Sequence, residues 1–220
     1  PQAGISFLLI DIKQPGFSIS PIVTLAGDKE VNEVFFDDVV SDADNLVGAP
    51  GQGWAIAKFL LENERSSSCF APELMAQLDR IAQAAVSEPS GHGGAMIDDP
   101  VFAGRLARTR LEIEALEMTE FRILAELSQG RAPGPQTSML KALASSLHKD
   151  IGQLAVDLYG AAGLQLPAER PLYGPDASAP VHSKDAQLAA PRYLNNLAWT
   201  IFGGTNEIQY NIIAKTVLGL

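Results

Sequence analysis

Residues 54–70 read WAIAKFLLENERSSSCF. Ile56, Phe59 and Leu60 fall on one face at helical spacing, with Glu62 and Arg65 near the polar flank, so this stretch predicts an amphipathic helix. The residues before it are patterned differently. GISFLLIDI (4–12) ends at the Pro15-Gly16 turn signal, and FSISPIVTL (17–25) and VNEVFFDDVV (31–40) are rich in β-branched and aromatic residues. Strands therefore precede residue 48 and helices follow it, which is the mark of an α+β chain.

Working outward, SDADNLVGAPGQG (41–53) is a polar connector. Asp37, Asp38, Asp42 and Asp44 cluster there, but their spacing fails the calcium-loop pattern and a solvated turn accounts for them, so no metal site is expected. Beyond Trp54, Pro72 either kinks the first helix or opens a second. Leu74, Leu78, Ile81 and Ala85 continue at helical spacing, and SEPSGHGGAMIDDP (87–100) breaks the pattern. Pro100 suits the first turn of a long helix marked by Leu106, Ile113, Leu116, Leu124 and Leu127 and ended by GRAPGP (130–135). Met139, Leu143, Leu147, Ile151, Leu154 and Leu158 predict another, stopping at Gly160. An irregular crossing loop (164–180) leads to a last pair, Gln187 to Thr200 and Asn206 to Leu218. Each long helix carries one apolar stripe, so an antiparallel four-helix bundle is the economical way to bury them.

Composition narrows the function. The chain has 220 residues, 46% hydrophobic, with a formal net charge of −10, so it lacks the basic footprint of a nucleic-acid binder. No apolar run reaches the roughly 18 residues of a membrane span. Cys69 is the sole cysteine, which leaves no disulfide framework and fits the cytoplasm. Pro1 leads at once into a strand-like run, which is expected of a chain entered mid-fold.

Few residues announce chemistry. His92, His148 and His182 are scattered without partners at ligand spacing and read as solvated or structural. Serine-hydrolase, dinucleotide and Walker signatures are missing. IFGGTNEIQ (201–209) places two glycines before an apolar helix; it could present amides to an anion, or simply start that helix. In ENER (62–65), Glu62 and Glu64 point to different sides of a helix, so one can face inward, although a solvated cluster explains them too. Ser66, Ser67 and Ser68 leave room beside that helix.

Four blocks together resemble the C-terminal half of a bacterial acyl-CoA dehydrogenase: GISFLLIDIKQPGFSISPI, VNEVFFDDVVSDADNLVGAPGQGW, ENERSSS and YLNNLAWTIFGGTNEIQYNIIAKTVLGL. The resemblance runs over essentially the whole chain. It implies that residues 1–48 are the tail of the middle β-domain and 49–220 the C-terminal helical bundle. It also implies α,β-desaturation of an acyl-CoA thioester, with a carboxylate taking the α-proton and FAD taking the β-hydride.

In much of that family the base is a glutamate at the position of Gly203. Other members carry it on a bundle helix directly before an arginine, which here is Glu64-Arg65. The resemblance thus makes Glu64 the base, with Arg65 contacting the CoA part and Phe202 and Gly203 lining the acyl pocket. Thr205, Asn206 and Glu207 stand where the family touches FAD. The family's arginine and QFG that reach a neighbour's flavin are not recognisable near SGHGGAMIDDP, and its Gln and Gly-Gly read Asp157 and Gly160-Ala161. Such departures resemble subclasses acting on steroid or other bulky acyl-CoA side chains, some of them mixed tetramers with FAD in only part of their subunits. The implied partners are an electron-transfer flavoprotein or similar acceptor and a second subunit, in a homo- or hetero-oligomer. The alternatives are a non-catalytic structural subunit or, more weakly, an acyl-CoA oxidase.

Overall fold

The computed structural model describes residues 3–66, 69–131, 134–166 and 182–220, without the side chains of residues 62–66. Most of the crossing loop, 167–181, lies outside the described residues. The chain divides into two compact units, 1–24 with 28–68 and 25–27 with 69–220.

The first unit holds four strands in two antiparallel pairs. β1 (Phe7–Leu8) pairs with β4 (Leu46–Val47), and β2 (Phe17–Ile22) pairs with β3 (Val31–Phe36) in the register Phe17 opposite Phe36. The strand expected over 4–12 shrinks to two residues, because a strand exists only where a neighbour supplies backbone partners and β4 is two residues long. In the β2–β3 ribbon, Ile19, Ile22, Val31, Val34 and Phe35 are exposed, and a lone two-stranded ribbon is marginal in water. α1 (Gly53–Ser66) closes this unit and is tied to the segment before β1 by the Gly53 amide donating to the Ile5 carbonyl at 2.7 Å.

The second unit is helical. α2 (Ala71–Ala85) has Pro72 in its first turn, so the proline opens a second helix rather than kinking the first. α3 (Pro100–Ser128) starts at Asp99, whose carboxylate accepts from the amides of Val101 and Phe102, both at 2.9 Å. Its buried residues are Phe102, Leu106, Thr109, Ile113, Leu116, Glu120 and Ile123. They alternate four and three apart, the spacing that keeps one seam against a partner along a long helix.

α4 (Thr137–Gly163) packs against α2 and α3 and against the two later helices, α5 (Lys184–Asn196) and α6 (Asn206–Ile212). It is buried almost all round, as a central helix must be. Its regular path breaks at Gly160, where φ is 49°. α5 begins three residues before Gln187, because the Ser183 hydroxyl caps it by accepting from the Ala186 amide at 3.0 Å. The core is built from Leu74, Leu78, Ile113, Leu116, Leu147 and Leu154, all essentially inaccessible. Burial of each contributes about 1.5–3 kcal/mol before chain entropy is charged against it.

Candidate functional site

α4 buries a polar stripe at three- and four-residue spacing: Ser138, Lys141, Ser145 and His148. Three of them meet the segment that joins α5 to α6. That segment runs through a 3₁₀ turn (Leu197–Thr200) and two left-handed glycines, Gly203 at φ 67° and Gly204 at φ 91°. Neither conformation suits a residue with a Cβ. The two differ in their surroundings. A Cβ on Gly204 would come within 2.5 Å of Gln209 Nε2, whereas a Cβ on Gly203 would meet, among the described residues, only Lys141 Cε, at 3.9 Å.

Lys141 is 6% exposed. Its ammonium donates to the Trp199 carbonyl at 2.8 Å and to Asn206 Oδ1 at 3.2 Å. Ser145 Oγ lies 2.7 Å from the Lys141 carbonyl and 2.9 Å from the Trp199 carbonyl, so one hydroxyl proton serves both. On the other side, Gln209 Nε2 donates long bonds of 3.4 Å to the carbonyls of Gly203 and Gly204. Burial holds the Lys141 pKa below the ordinary lysine value, and Glu207 opposes that shift.

An aromatic cluster covers this polar floor. The Trp199 ring stacks on His148 at 4.1 Å between centroids, meets Phe202 at 4.9 Å and takes Phe70 edge-on at 6.2 Å. Both His148 ring nitrogens are buried without a hydrogen-bond partner among the described residues. Burial lowers the His148 pKa, with Glu73 acting weakly in the opposite sense. Of the two roles expected for His148, the solvated one is therefore excluded and the structural one stands.

The residues marked in 202–207 thus come together, but they face different ways. Phe202 and Gly203 are exposed. Thr205 caps α6 by accepting from the Ile208 amide at 3.4 Å. Asn206 is buried and turns its carbonyl oxygen to Lys141. Glu207 is exposed; its carboxyl is held below the ordinary value by its own backbone amide first, then by the Thr205 hydroxyl and Lys141. Glu64 and Arg65 lie in α1, and their side chains fall outside the described residues. Asp157 is paired with Arg105 of α3 and also accepts from Gln153 Nε2 at 2.9 Å.

The residues that sequence reading passed over are Lys141 and Ser145. The signal was present: polar side chains at helical spacing among the apolar residues of α4.

Residues 51–218 match the family model described as "Acyl-CoA dehydrogenase, C-terminal domain". The chain belongs to the acyl-CoA dehydrogenase family. It is 36% identical over 223 residues to acyl-CoA dehydrogenase IpdE1 of Mycobacterium tuberculosis, covering 100% of this chain and 51% of that protein. The corresponding protein of Mycolicibacterium smegmatis is 34% identical, with 100% of this chain and 50% of that protein covered. Among solved structures, the ChsE4-ChsE5 complex from M. tuberculosis superposes with a TM-score of 0.79 at 25% identity, covering 100% of this chain and 54% of the matched one. The α+β arrangement seen here, strand pairs followed by a helical bundle, is thus part of the acyl-CoA dehydrogenase fold. The chain spans about half the length of the curated relatives it matches. Among the described residues no helix is long and apolar enough to cross a membrane, and no group of three or more His, Cys, Asp or Glu is placed to hold a metal ion.

Proposed function

We propose that the protein containing this chain is an FAD-dependent acyl-CoA dehydrogenase acting on a bulky acyl group, with Glu64 as the base. The observation that carries this reading is the space at residue 203. Gly203 is exposed, and among the described residues a Cβ there would touch nothing but Lys141 Cε, so the wall beside Phe202 has space where many relatives keep an acid. A glycine takes no proton, and the ENER segment offers a carboxylate directly before an arginine. The Glu64 carboxylate would accept the α-proton and Arg65 would bind the CoA portion. Residues 1–48 would close a β-domain and 49–220 form the bundle, in a cytoplasmic oligomer that passes electrons to an electron-transfer flavoprotein or a similar acceptor.

The polar groups of residues 203–207 fit a flavin in part. The backbone of Gly203 and Gly204, the Thr205 hydroxyl and the exposed Glu207 are available, whereas the Asn206 side chain is turned inward and would contribute through its backbone. When bound, FAD would supply hydride acceptance. Removing the Glu64 carboxylate should abolish it as a base without removing the cofactor. In the full-length protein, Glu64→Gln should retain FAD while acyl-CoA-driven flavin bleaching falls by about 10²-fold or more; bleaching at the wild-type rate would refute the assignment.

Asp157 favours a second reading. It stands where the family keeps a glutamine near a neighbouring subunit's flavin, and here its carboxylate is tied to Arg105. A non-catalytic subunit of a mixed oligomer would tolerate that. Bound flavin per chain in the separately purified protein distinguishes the two, since stoichiometric FAD excludes the structural role.

A further inference from the structure

We infer that Lys141 is a positioning residue that sets the acyl-pocket wall from behind, by bonding the Trp199 carbonyl before the Gly203-Gly204 turn and the Asn206 side chain after it. This rests on the reading that Phe202 and Gly203 line that pocket.

The argument begins with an unfavourable burial. An ammonium removed from water is costly unless it is paired and hydrogen-bonded. Lys141 is 6% exposed and, among the described residues, forms no ion pair; its bonds go to a backbone carbonyl and an amide oxygen. Those acceptors bracket the turn. Trp199 precedes Phe202 and the two glycines, and Asn206 follows them and begins α6. Between them lie two left-handed glycines with wide backbone freedom, so the turn has little intrinsic preference for one shape. A charge-assisted bond at each end supplies that preference. Ser145 adds a second donor to the Trp199 carbonyl, and Gln209 reaches the turn from α6.

The aromatic cluster carries this geometry to the pocket wall. With its carbonyl held, Trp199 lies flat on His148, and Phe202 packs against Trp199. The Lys141 alkyl chain also forms the only described surface within 4 Å of a Cβ at 203. Lys141 therefore acts on substrate through the wall rather than by contact.

The test uses full-length, FAD-loaded protein carrying Lys141→Met or Lys141→Arg, with Trp199→Phe and Phe202→Ala as references. The near-UV circular dichroism lost in Trp199→Phe defines the Trp199 signal. The thioester probe is whichever of a panel of straight-chain, branched and ring-bearing acyl-CoAs bleaches the wild-type flavin fastest.

Lys141→Met should lose most of the Trp199 signal and raise KM on the order of tenfold with a smaller change in kcat, as expected for one lost charge-assisted bond. Lys141→Arg, which keeps a cationic donor, should recover part of both. Should Lys141→Met fail to fold, Lys141→Gln takes its place, with the same expected rise in KM. A wild-type Trp199 signal or a wild-type KM in the Met or Gln variant overturns the inference, and so does equal loss in the Arg variant. If Phe202→Ala leaves KM unchanged, or no thioester bleaches the wild type, the pocket reading itself has failed. If Phe202→Ala raises KM and Lys141→Met does not, only the role of Lys141 has failed.

Discussion

Gly203 and Gly204 are chemically identical neighbours with different tolerances. Both have positive φ, so any side chain costs about 1 kcal/mol or more in backbone strain. At 203 the described residues add nothing to that cost, since among them the methyl meets only Lys141 Cε, at 3.9 Å. At 204 the methyl would sit 2.5 Å from Gln209 Nε2 and force that amide off the turn. Gly203→Ala should therefore lower stability by about 1 kcal/mol, and Gly204→Ala by about 2–3 kcal/mol once the Gln209 bonds are also lost. Urea denaturation of the two variants checks the order. Neither glycine's surroundings could be read from GGTN alone: the motif marked a turn, and its neighbours at 141 and 209 come from other helices.

Among the helices, α3 does more than bury a seam. Glu120 sits in that seam, 4% exposed, and reaches the start of α2, accepting from the Phe70 amide at 2.6 Å and the Ala71 amide at 3.2 Å. It thus caps a neighbouring helix rather than its own. Burial pushes its carboxyl above the ordinary value, while the two backbone amides pull it back. Glu120→Ala should lower stability by about 2–3 kcal/mol, more than the roughly 1 kcal/mol expected for an ordinary N-cap, because buried amides are left unpaired. The same variant should increase hydrogen exchange in the first turn of α2 and leave the first turn of α3, capped by Asp99, unchanged. The helices themselves were plain in the spacing of their apolar residues, and Pro72 and Pro100 marked real starts; the helix expected to stop at Gly160 kinks there and runs on to Gly163. Cross-helix capping left no such mark, since a glutamate in a long helix reads as a surface charge.

For the molecule as a whole, His148 ties stability to pH. Its pKa in the folded chain lies below the ordinary 6.5 because it is buried. Above that value both folded and unfolded imidazoles are neutral and the full stability is present. As pH falls through it, the unfolded state takes up the proton first, so stability declines until the folded imidazole is itself protonated. Thermal unfolding should therefore show a smaller loss of stability between pH 7 and pH 5 in His148→Phe than in the wild type. At pH 7 that variant should be unchanged or about 1 kcal/mol more stable, since two ring nitrogens without a partner among the described residues are replaced by carbon and the stack on Trp199 is kept.

Element type was legible throughout because period is local: a strand alternates every two residues and a helix every three or four, whatever lies beside it. GGTN likewise declared a turn, because left-handed backbone is a property of the glycine itself. Burial of a polar side chain is not local. Ser138, Lys141, Ser145 and His148 have the spacing of a solvated helix face, yet all four are buried, and the last three meet the segment from Leu197 to Asn206 that folds across them. The chain pattern made α4 a helix, and packing turned its polar stripe into the floor of a candidate site.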